Sequence, residues 1–363
     1  MEDIQNQFVR ILSDSLKEEK PSIYTDIKWE QVLELIERYK VEGIVYENIK
    51  NNDLTTIVSE EILNRLKIKV NLIEEDQKKV IVQLDKISKA FNNNEISFIV
   101  LGNLATKELY YYPEMRECNK IELLIQEEDT ESVKALLFAS NYKILEENKD
   151  EYKITFIDDK ESELIIYYHL CNKNDENKEL IIYERTVWKR AIKLELGQTE
   201  VLSLDYEDFA VRLCMQIEDN IYKGTNDFKE LCDLAMLVQI KGKLVNWDSF
   251  LMKAGMYGAE KSSLIIFILC NKLLKVDIPK DFDIKKINNK KYVDALINEI
   301  FNDSFNKESK EEIAAMVCTD KEIEESNNLI IKYVMKTINK TKEWINELNS
   351  PVTREKLLEW MEI

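Results

Sequence analysis

The spacing of hydrophobic residues divides the chain into a helical part, a mixed part and a second helical part. Up to about residue 93, apolar residues recur every three or four positions, for example between Val32 and Tyr39. That period is typical of one buried helix face. A longer pattern of the same kind covers residues 55–91 and stops at the three asparagines of positions 92–94. Residues 1–93 are therefore predicted to form an N-terminal helical region.

The pattern then changes to short, β-rich apolar runs with one helical segment among them. The segment at residues 129–140 has a helical period, and residues 191–204 read as a hairpin around Gly197. The runs predicted as further strands are residues 96–102, 120–125, 142–147, 151–158 and 162–171. Strands that alternate with helices and then follow one another indicate a mixed α/β unit. We place this unit at residues 94–203.

From Asp205 the helical period returns and continues to the end of the chain. Ser203 or Asp205 is expected to cap the first of these helices, and Ser350 the last one, with Pro351 at its first position. Residues 204–363 are thus predicted to form a C-terminal helical domain. The seven glycines and four prolines among 363 residues agree with long helices, since both residue types interrupt them.

Charge and cysteine usage exclude several classes of function. The formal net charge of −18, from 51 basic and 69 acidic residues, repels a nucleic-acid backbone, and no basic cluster interleaved with aromatic residues offsets it. None of the six cysteines forms a C-x-x-C pair, so a zinc ribbon has no support. No apolar run reaches the roughly 18 residues of a membrane span. We expect a cytoplasmic protein with no nucleic-acid and no membrane partner.

The segment YYYPEMRECNKIELLI, residues 110–125, carries the most informative chemistry. Its strand-like end begins with Lys120 and Glu122, which share one face because side chains alternate along a strand. Two opposite charges side by side on a strand that is otherwise apolar need an explanation.

This segment, together with the order of the parts, resembles the uncharacterised bacterial nucleotidyltransferase-like family of the DNA polymerase β superfamily. The resemblance covers about residues 27–280 and rests on the glycine-to-strand segment at 92–125 and on the helical segments KWEQVLELIERYKVEGIVY, SLDYEDFAVRLCMQIEDN and FKELCDLAML. It implies an α+β fold, in which a nucleotidyltransferase-like mixed sheet core is flanked by N-terminal helices and a C-terminal helical bundle.

The family's chemistry uses magnesium ions held by two carboxylates of one strand and a third from a neighbouring strand. The resemblance aligns those three positions with Lys120, Glu122 and Tyr167, and the lysine that precedes the family's glycine with Leu101. At ~4 Å and an effective dielectric constant near 20, Lys120 would repel a divalent ion by roughly 8 kcal/mol. We therefore expect no metal and no cofactor, and an internal Lys120–Glu122 ion pair in place of the metal site.

Two alternatives keep a function at this place. In the first, the positive charge of Lys120 takes the place of the metal and binds a nucleotide or another anion. The residues that would bind the anion with it match or neighbour the family pattern, and they are Gly102, Asn103, Arg116 and His169. Alternatively, the protein is an active enzyme that transfers a nucleoside monophosphate to a hydroxyl group. Glu122 would then be its catalytic and metal-binding residue, and further ligands for Mg²⁺ would come from Glu117, Glu161 or Glu163.

Arg116 and His169 each also have a purely structural interpretation. Arg116 either contacts phosphate or pins its loop by pairing with an acid such as Glu117 or Asp233. His169, the single histidine, is either a general base or anion contact, or a core residue held by hydrogen bonds. On balance the sequence favours a catalytically degenerate nucleotidyltransferase relative that acts as a binding or partner protein. A purely structural interaction subunit is the remaining alternative.

Overall fold

The computed structural model describes residues 3–17, 27–51, 58–172, 178–225, 228–285, 287, 289–301 and 352–362. Contacts group the chain into two compact units, Met1–Asn288 and Asn289–Ile363. The helical, mixed and helical segments follow one another in the predicted order, while the domain boundaries after residues 93 and 203 stay a prediction. No helix in the described ranges combines the length and the apolar character that crossing a membrane requires.

Among the described residues, four helices precede the sheet, and the longest of them is the one that the sequence pattern indicated. It starts after Ser59, whose hydroxyl accepts the Ile62 N–H at 3.3 Å, and it ends within the predicted asparagine stop. Buried residues along it recur at helical spacing, so that one face packs on the protein. The bounds are α1 Asp3–Lys17, α2 Trp29–Arg38, α3 Glu42–Asn51 and α4 Glu60–Asn93.

The part of the chain that the structure describes has seven strands, which form one mixed sheet in the order β3-β4-β5-β2-β1-β7-β6. β1 is antiparallel to β2 and parallel to β7, whereas β2 is parallel to β5. The predicted hairpin around Gly197 is confirmed as β6 and β7. The strands are β1 Phe98–Leu101, β2 Lys120–Ile125, β3 Lys143–Asn148, β4 Lys153–Ile157, β5 Glu163–Tyr167, β6 Ile192–Leu196 and β7 Thr199–Ser203.

Within the described ranges, three α-helices connect these strands, and four more follow them in the first unit. Asp205, one of the two caps that the sequence predicted, caps α8 by accepting the Asp208 N–H at 2.7 Å. Gly224 ends that helix with φ +70°. The bounds are α5 Gly102–Thr106, α6 Thr130–Ala139, α7 Lys178–Arg190, α8 Tyr206–Lys223, α9 Phe228–Lys241, α10 Trp247–Met256 and α11 Glu260–Leu274.

The second unit contains α12, Lys290–Phe301, and α13, Arg354–Met361, joined by an ion pair between Arg354 and Glu299. Thr353 caps α13, so the prediction of Ser350 as its cap is wrong. The helical segments predicted between residues 302 and 351 lie outside the described residues.

Candidate functional site

Lys120 and Glu122 form the ion pair that the sequence predicted. They lie on the same face at the start of β2, and the Lys120 Nζ is 2.7 Å from the Glu122 Oε1. The Glu122 side chain is 4% exposed and that of Lys120 is 35% exposed. Burial alone would lower the pKa of Lys120, but the charge and hydrogen bond of Glu122 raise it above its usual value.

Gly102 allows the Glu122 carboxylate to lie against the end of β1. Leu101 is the register partner of Glu122, and the chain turns at Gly102 with φ +60°. A Cβ atom at Gly102 would lie 2.6 Å from the Glu122 Oε2, so both the backbone conformation and the space require glycine. That oxygen is buried and has no hydrogen-bond partner. Asn103, in the first turn of α5, is half-buried next to this turn.

Tyr167 extends the same cluster on the neighbouring strand. Its register partner on β2 is Leu124 and on β4 is Lys153. Burial raises the pKa of the Tyr167 phenol, and the charge of Glu122 raises it further. The guanidinium of Arg212, on α8, lies 4.9 Å from the Tyr167 ring centroid, and its Nε is buried without a hydrogen-bond partner. We call Lys120, Glu122, Lys153, Tyr167 and Arg212 the Tyr167 cluster.

Sequence reasoning missed both Lys153 and Arg212. The signal for Arg212 was present, because it is the one charged residue in the otherwise apolar run from Phe209 to Cys214. For Lys153 there was none, since its relevance depends on the pairing of β4 with β5.

Lys120, Glu122 and Tyr167, which the sequence analysis aligned with three carboxylates, do not form a ligand set that fits Mg²⁺. Glu122 is the single acid among them, and its carboxylate is shared between Lys120 and the Gly102 turn. Of the other predicted ligands, Glu117 pairs with Lys229 at 3.2 Å, Glu163 is exposed beside Lys120, and Glu161 lies in a turn with φ +62°. Within the described ranges, no three His, Cys, Asp or Glu side chains are grouped to hold a metal ion.

Arg116 takes the structural role that the sequence left open. Its Nε and Nη2 donate to the two carboxylate oxygens of Asp233 at 2.8 and 2.6 Å, and Tyr110 donates its hydroxyl to the same carboxylate. Burial alone would lower the pKa of Arg116, but Asp233 raises it well above its usual value. The side chain is fully buried, so in this arrangement it offers no donor to a phosphate. The phosphate-contacting role of Arg116 remains a prediction without geometric support.

His169 lies away from Lys120 and Glu122, although it is close in sequence to Tyr167. In the register of β2 and β5, Lys120 pairs with Glu163 and Leu124 pairs with Tyr167. These two pairs are separated by four residues along each strand, which is about 13 Å. His169 lies two residues beyond Tyr167, where its Nδ1 is 2.9 Å from the Glu184 Oε2. The structure thus brings together Gly102, Lys120 and Glu122, and separates His169 from them. The sequence did not suggest Glu184, which comes from α7.

Comparison with known proteins found one matching family model and several similar solved structures. A family model described as uncharacterised nucleotidyltransferase matches residues 25–275. Among solved structures, the antibiotic-resistance factor ANT(2'')-Ia is similar at 10% identity and a TM-score of 0.38, over 52% of this chain and 96% of that one. An antigenic nucleotidyltransferase-like protein from Paracoccidioides brasiliensis is similar at 14% identity and a TM-score of 0.34, over 56% of this chain and 94% of that one.

No curated protein sequence matches the chain. The family match covers more than half of the chain, which therefore belongs to the uncharacterised nucleotidyltransferase family.

Proposed function

We propose that this protein is a catalytically degenerate member of its family that acts as a binding or partner protein. The observation that carries the proposal is the 2.7 Å contact between Lys120 and Glu122, where the family pattern has two carboxylates. An ammonium group at a ligand position deletes one ligand and also repels the ion. At ~4 Å and a dielectric constant near 20, that repulsion is roughly 8 kcal/mol for a divalent cation.

The surrounding groups do not restore the missing negative charge. Tyr167 keeps its proton at neutral pH, because burial and Glu122 both raise the pKa of the phenol. One oxygen of Glu122 bonds to Lys120 and the other packs against Gly102. Mg²⁺ requires several strong oxygen ligands in near-octahedral geometry.

The ligand that we propose for the Tyr167 cluster is an anion, such as a nucleotide, bound without metal. The cluster contains the cations Lys120, Lys153 and Arg212, and the buried Nε of Arg212 has no hydrogen-bond partner. A buried donor without a partner costs free energy that a ligand oxygen can recover. Arginine is well suited to phosphate because its planar donors match two oxygens.

Calorimetry with ATP, in the presence and absence of Mg²⁺, tests the proposal. We expect binding that is independent of Mg²⁺ and weakened about tenfold or more in Arg212→Met, while Lys193→Met, which removes an exposed lysine elsewhere, leaves it unchanged. Tight binding that requires Mg²⁺ and disappears in Glu122→Gln would overturn the proposal. Absence of any ATP binding would overturn its anion part.

A gain-of-metal variant provides an independent check. The combined substitution Lys120→Asp, Glu122→Asp and Tyr167→Asp restores an acid at each position of the family pattern. We expect Mg²⁺ to raise the melting temperature of this variant and to leave that of the unmodified protein unchanged, since a ligand stabilises only a state that binds it. An equal rise in both proteins would contradict the proposal.

A further inference from the structure

A concave site lies at the carboxyl ends of the parallel strands β2 and β5. It is a groove of about 620 Å³, within the range of small-molecule sites. Its lining includes Glu127, Tyr152, Tyr168, His169, Arg185 and Trp188, and we call it the His169 groove. Lys120, by contrast, lies at the amino-terminal end of β2. In open α/β sheets, ligands bind outside the carboxyl ends of the strands.

A buried carboxylate holds His169 in one orientation. Glu184, with a side chain that is 8% exposed, accepts the backbone N–H groups of Leu170 and Cys171 at 3.0 and 2.7 Å through its Oε1. Its Oε2 is 2.9 Å from the His169 Nδ1. Because Nδ1 donates to this fixed acceptor, the other ring nitrogen, Nε2, is presented on the groove side.

The groove side of His169 suits an anionic oxygen. Glu127 lies with its carboxylate 3.5 Å from Nε2, and this side chain is 65% exposed and free to swing away. Its oxygen marks the position that an oxygen of a bound anion would take. Arg185 and Lys189 line the same groove from α7, one helical turn apart, and both are exposed. Hydrogen bonding to Glu184 raises the pKa of His169, which favours the charged, anion-binding form.

Aromatic side chains form the wall beside His169. The ring centroid of Tyr152 lies 4.6 Å from that of His169 and 5.3 Å from that of Tyr168. Trp188 is half-buried at the same groove. Tyr152 has φ +49°, an unfavourable conformation for a bulky residue, which is tolerated where surrounding contacts hold it. Partly exposed rings of this kind accept a planar ligand by stacking.

We propose that the His169 groove binds a planar aromatic ring that carries a phosphate group. A phosphate oxygen accepts a hydrogen bond from the His169 Nε2 and contacts Arg185, displacing the Glu127 carboxylate, while the ring lies against Tyr168 and Trp188. The proposal does not rest on the function proposed for the Tyr167 cluster.

The single histidine gives this proposal a specific measurement. In protein labelled with ¹³C and ¹⁵N at histidine, the ring signals report on His169 alone. The probes are AMP and phenyl phosphate, compared with adenosine, which lacks the phosphate, and inorganic phosphate, which lacks the ring. We expect AMP, phenyl phosphate or both to shift the His169 signals, with Kd values at least about tenfold lower than those of the two partial probes.

Variants on the two sides of the groove complete the test. Arg185→Gln changes an exposed residue and is expected to weaken binding about tenfold or more, and Trp188→Leu to do the same. Lys120→Ala, in the Tyr167 cluster, is the control that leaves the His169 shifts unchanged. A shift with AMP alone identifies a nucleotide site, and a shift with both esters identifies a general aryl phosphate site. No shift with either ester, equal shifts with inorganic phosphate, or unchanged binding in Arg185→Gln would overturn the proposal.

Discussion

Two ion pairs that begin four residues apart in the sequence have opposite characters. Arg116 and Asp233 are both fully buried, joined by two hydrogen bonds, and 117 residues apart in the chain. Lys120 and Glu122 are two residues apart, share one contact, and leave the lysine 35% exposed. A pair between distant segments constrains the fold, whereas a pair within one strand does not. Charged residues that neighbour each other in one motif can therefore have different roles, because Arg116 stabilises the fold while Lys120 belongs to the candidate site.

The largest effect is expected from breaking the distant pair. Asp233→Asn leaves the Arg116 charge buried without compensation and weakens the acceptor of the Tyr110 hydroxyl. Loss of one partner of a buried ion pair costs about 3–5 kcal/mol of the free energy of unfolding. Urea denaturation followed by circular dichroism measures this loss.

A surface pair provides the matched control. Asp219→Asn removes an acid from the exposed pair with Lys223 on α8, where the expected cost is about 0.2–1 kcal/mol. Equal losses of unfolding free energy for Asp233→Asn and Asp219→Asn would mean that the Arg116–Asp233 pair does not stabilise the fold.

An intermediate effect is expected from Gly102→Ala, which tests how tightly Glu122 is packed. The positive φ costs roughly 1–2 kcal/mol for alanine, and the added Cβ, 2.6 Å from the Glu122 Oε2, costs about 1–3 kcal/mol more. In the background of Glu122→Ala the second cost disappears and the first remains. A double-mutant cycle by urea denaturation separates the two. The same cost in both backgrounds would show that the carboxylate does not occupy the turn.

The smallest effect is expected from Lys120→Met, and it depends on pH. Because the folded state raises the pKa of Lys120 above its usual 10.5, the stability that its charge contributes is present below that pH. It is lost as the pH rises through the folded pKa. With the lysine about a third exposed, we expect a loss near 1 kcal/mol at about pH 8 that shrinks at about pH 11.

The measurement is the difference in unfolding free energy between the unmodified protein and Lys120→Met at the two pH values. Asp233→Asn should show no such alkaline decrease, since the Arg116 guanidinium stays charged throughout. A difference that is constant with pH would contradict the ion pair in solution.

Much of the fold followed from local patterns. The helical period and the asparagine stop located α4, and the alternation of apolar runs located the strands. The Lys120–Glu122 contact was predictable because both residues lie on one strand, whose geometry fixes their separation. The cap of α13 was predicted wrongly as Ser350, because both Ser350 and Thr353 are plausible N-caps and a local pattern does not choose between them.

The partners of Arg116 and His169 were not predictable to the same degree. Asp233 and Glu117 were equally plausible acids for Arg116, and Glu184 was not a candidate for His169. Each of these contacts depends on how a helix packs against the sheet, which no local spacing encodes. The contact of the Arg212 guanidinium with the Tyr167 ring likewise depends on how α8 packs against β5.

The sequence by itself determined the family, the order of helical and mixed segments, and the position of a lysine and a glutamate on one face at the start of β2. Only the tertiary structure decided that Arg116 pairs with Asp233, that His169 lies away from Lys120 and Glu122, and that the Glu122 carboxylate occupies the space beside Gly102. The physical reason is the distance in sequence over which each property is set. Strand and helix periods are set by residues that are close in sequence, whereas burial and long-range pairing depend on segments that only folding brings together.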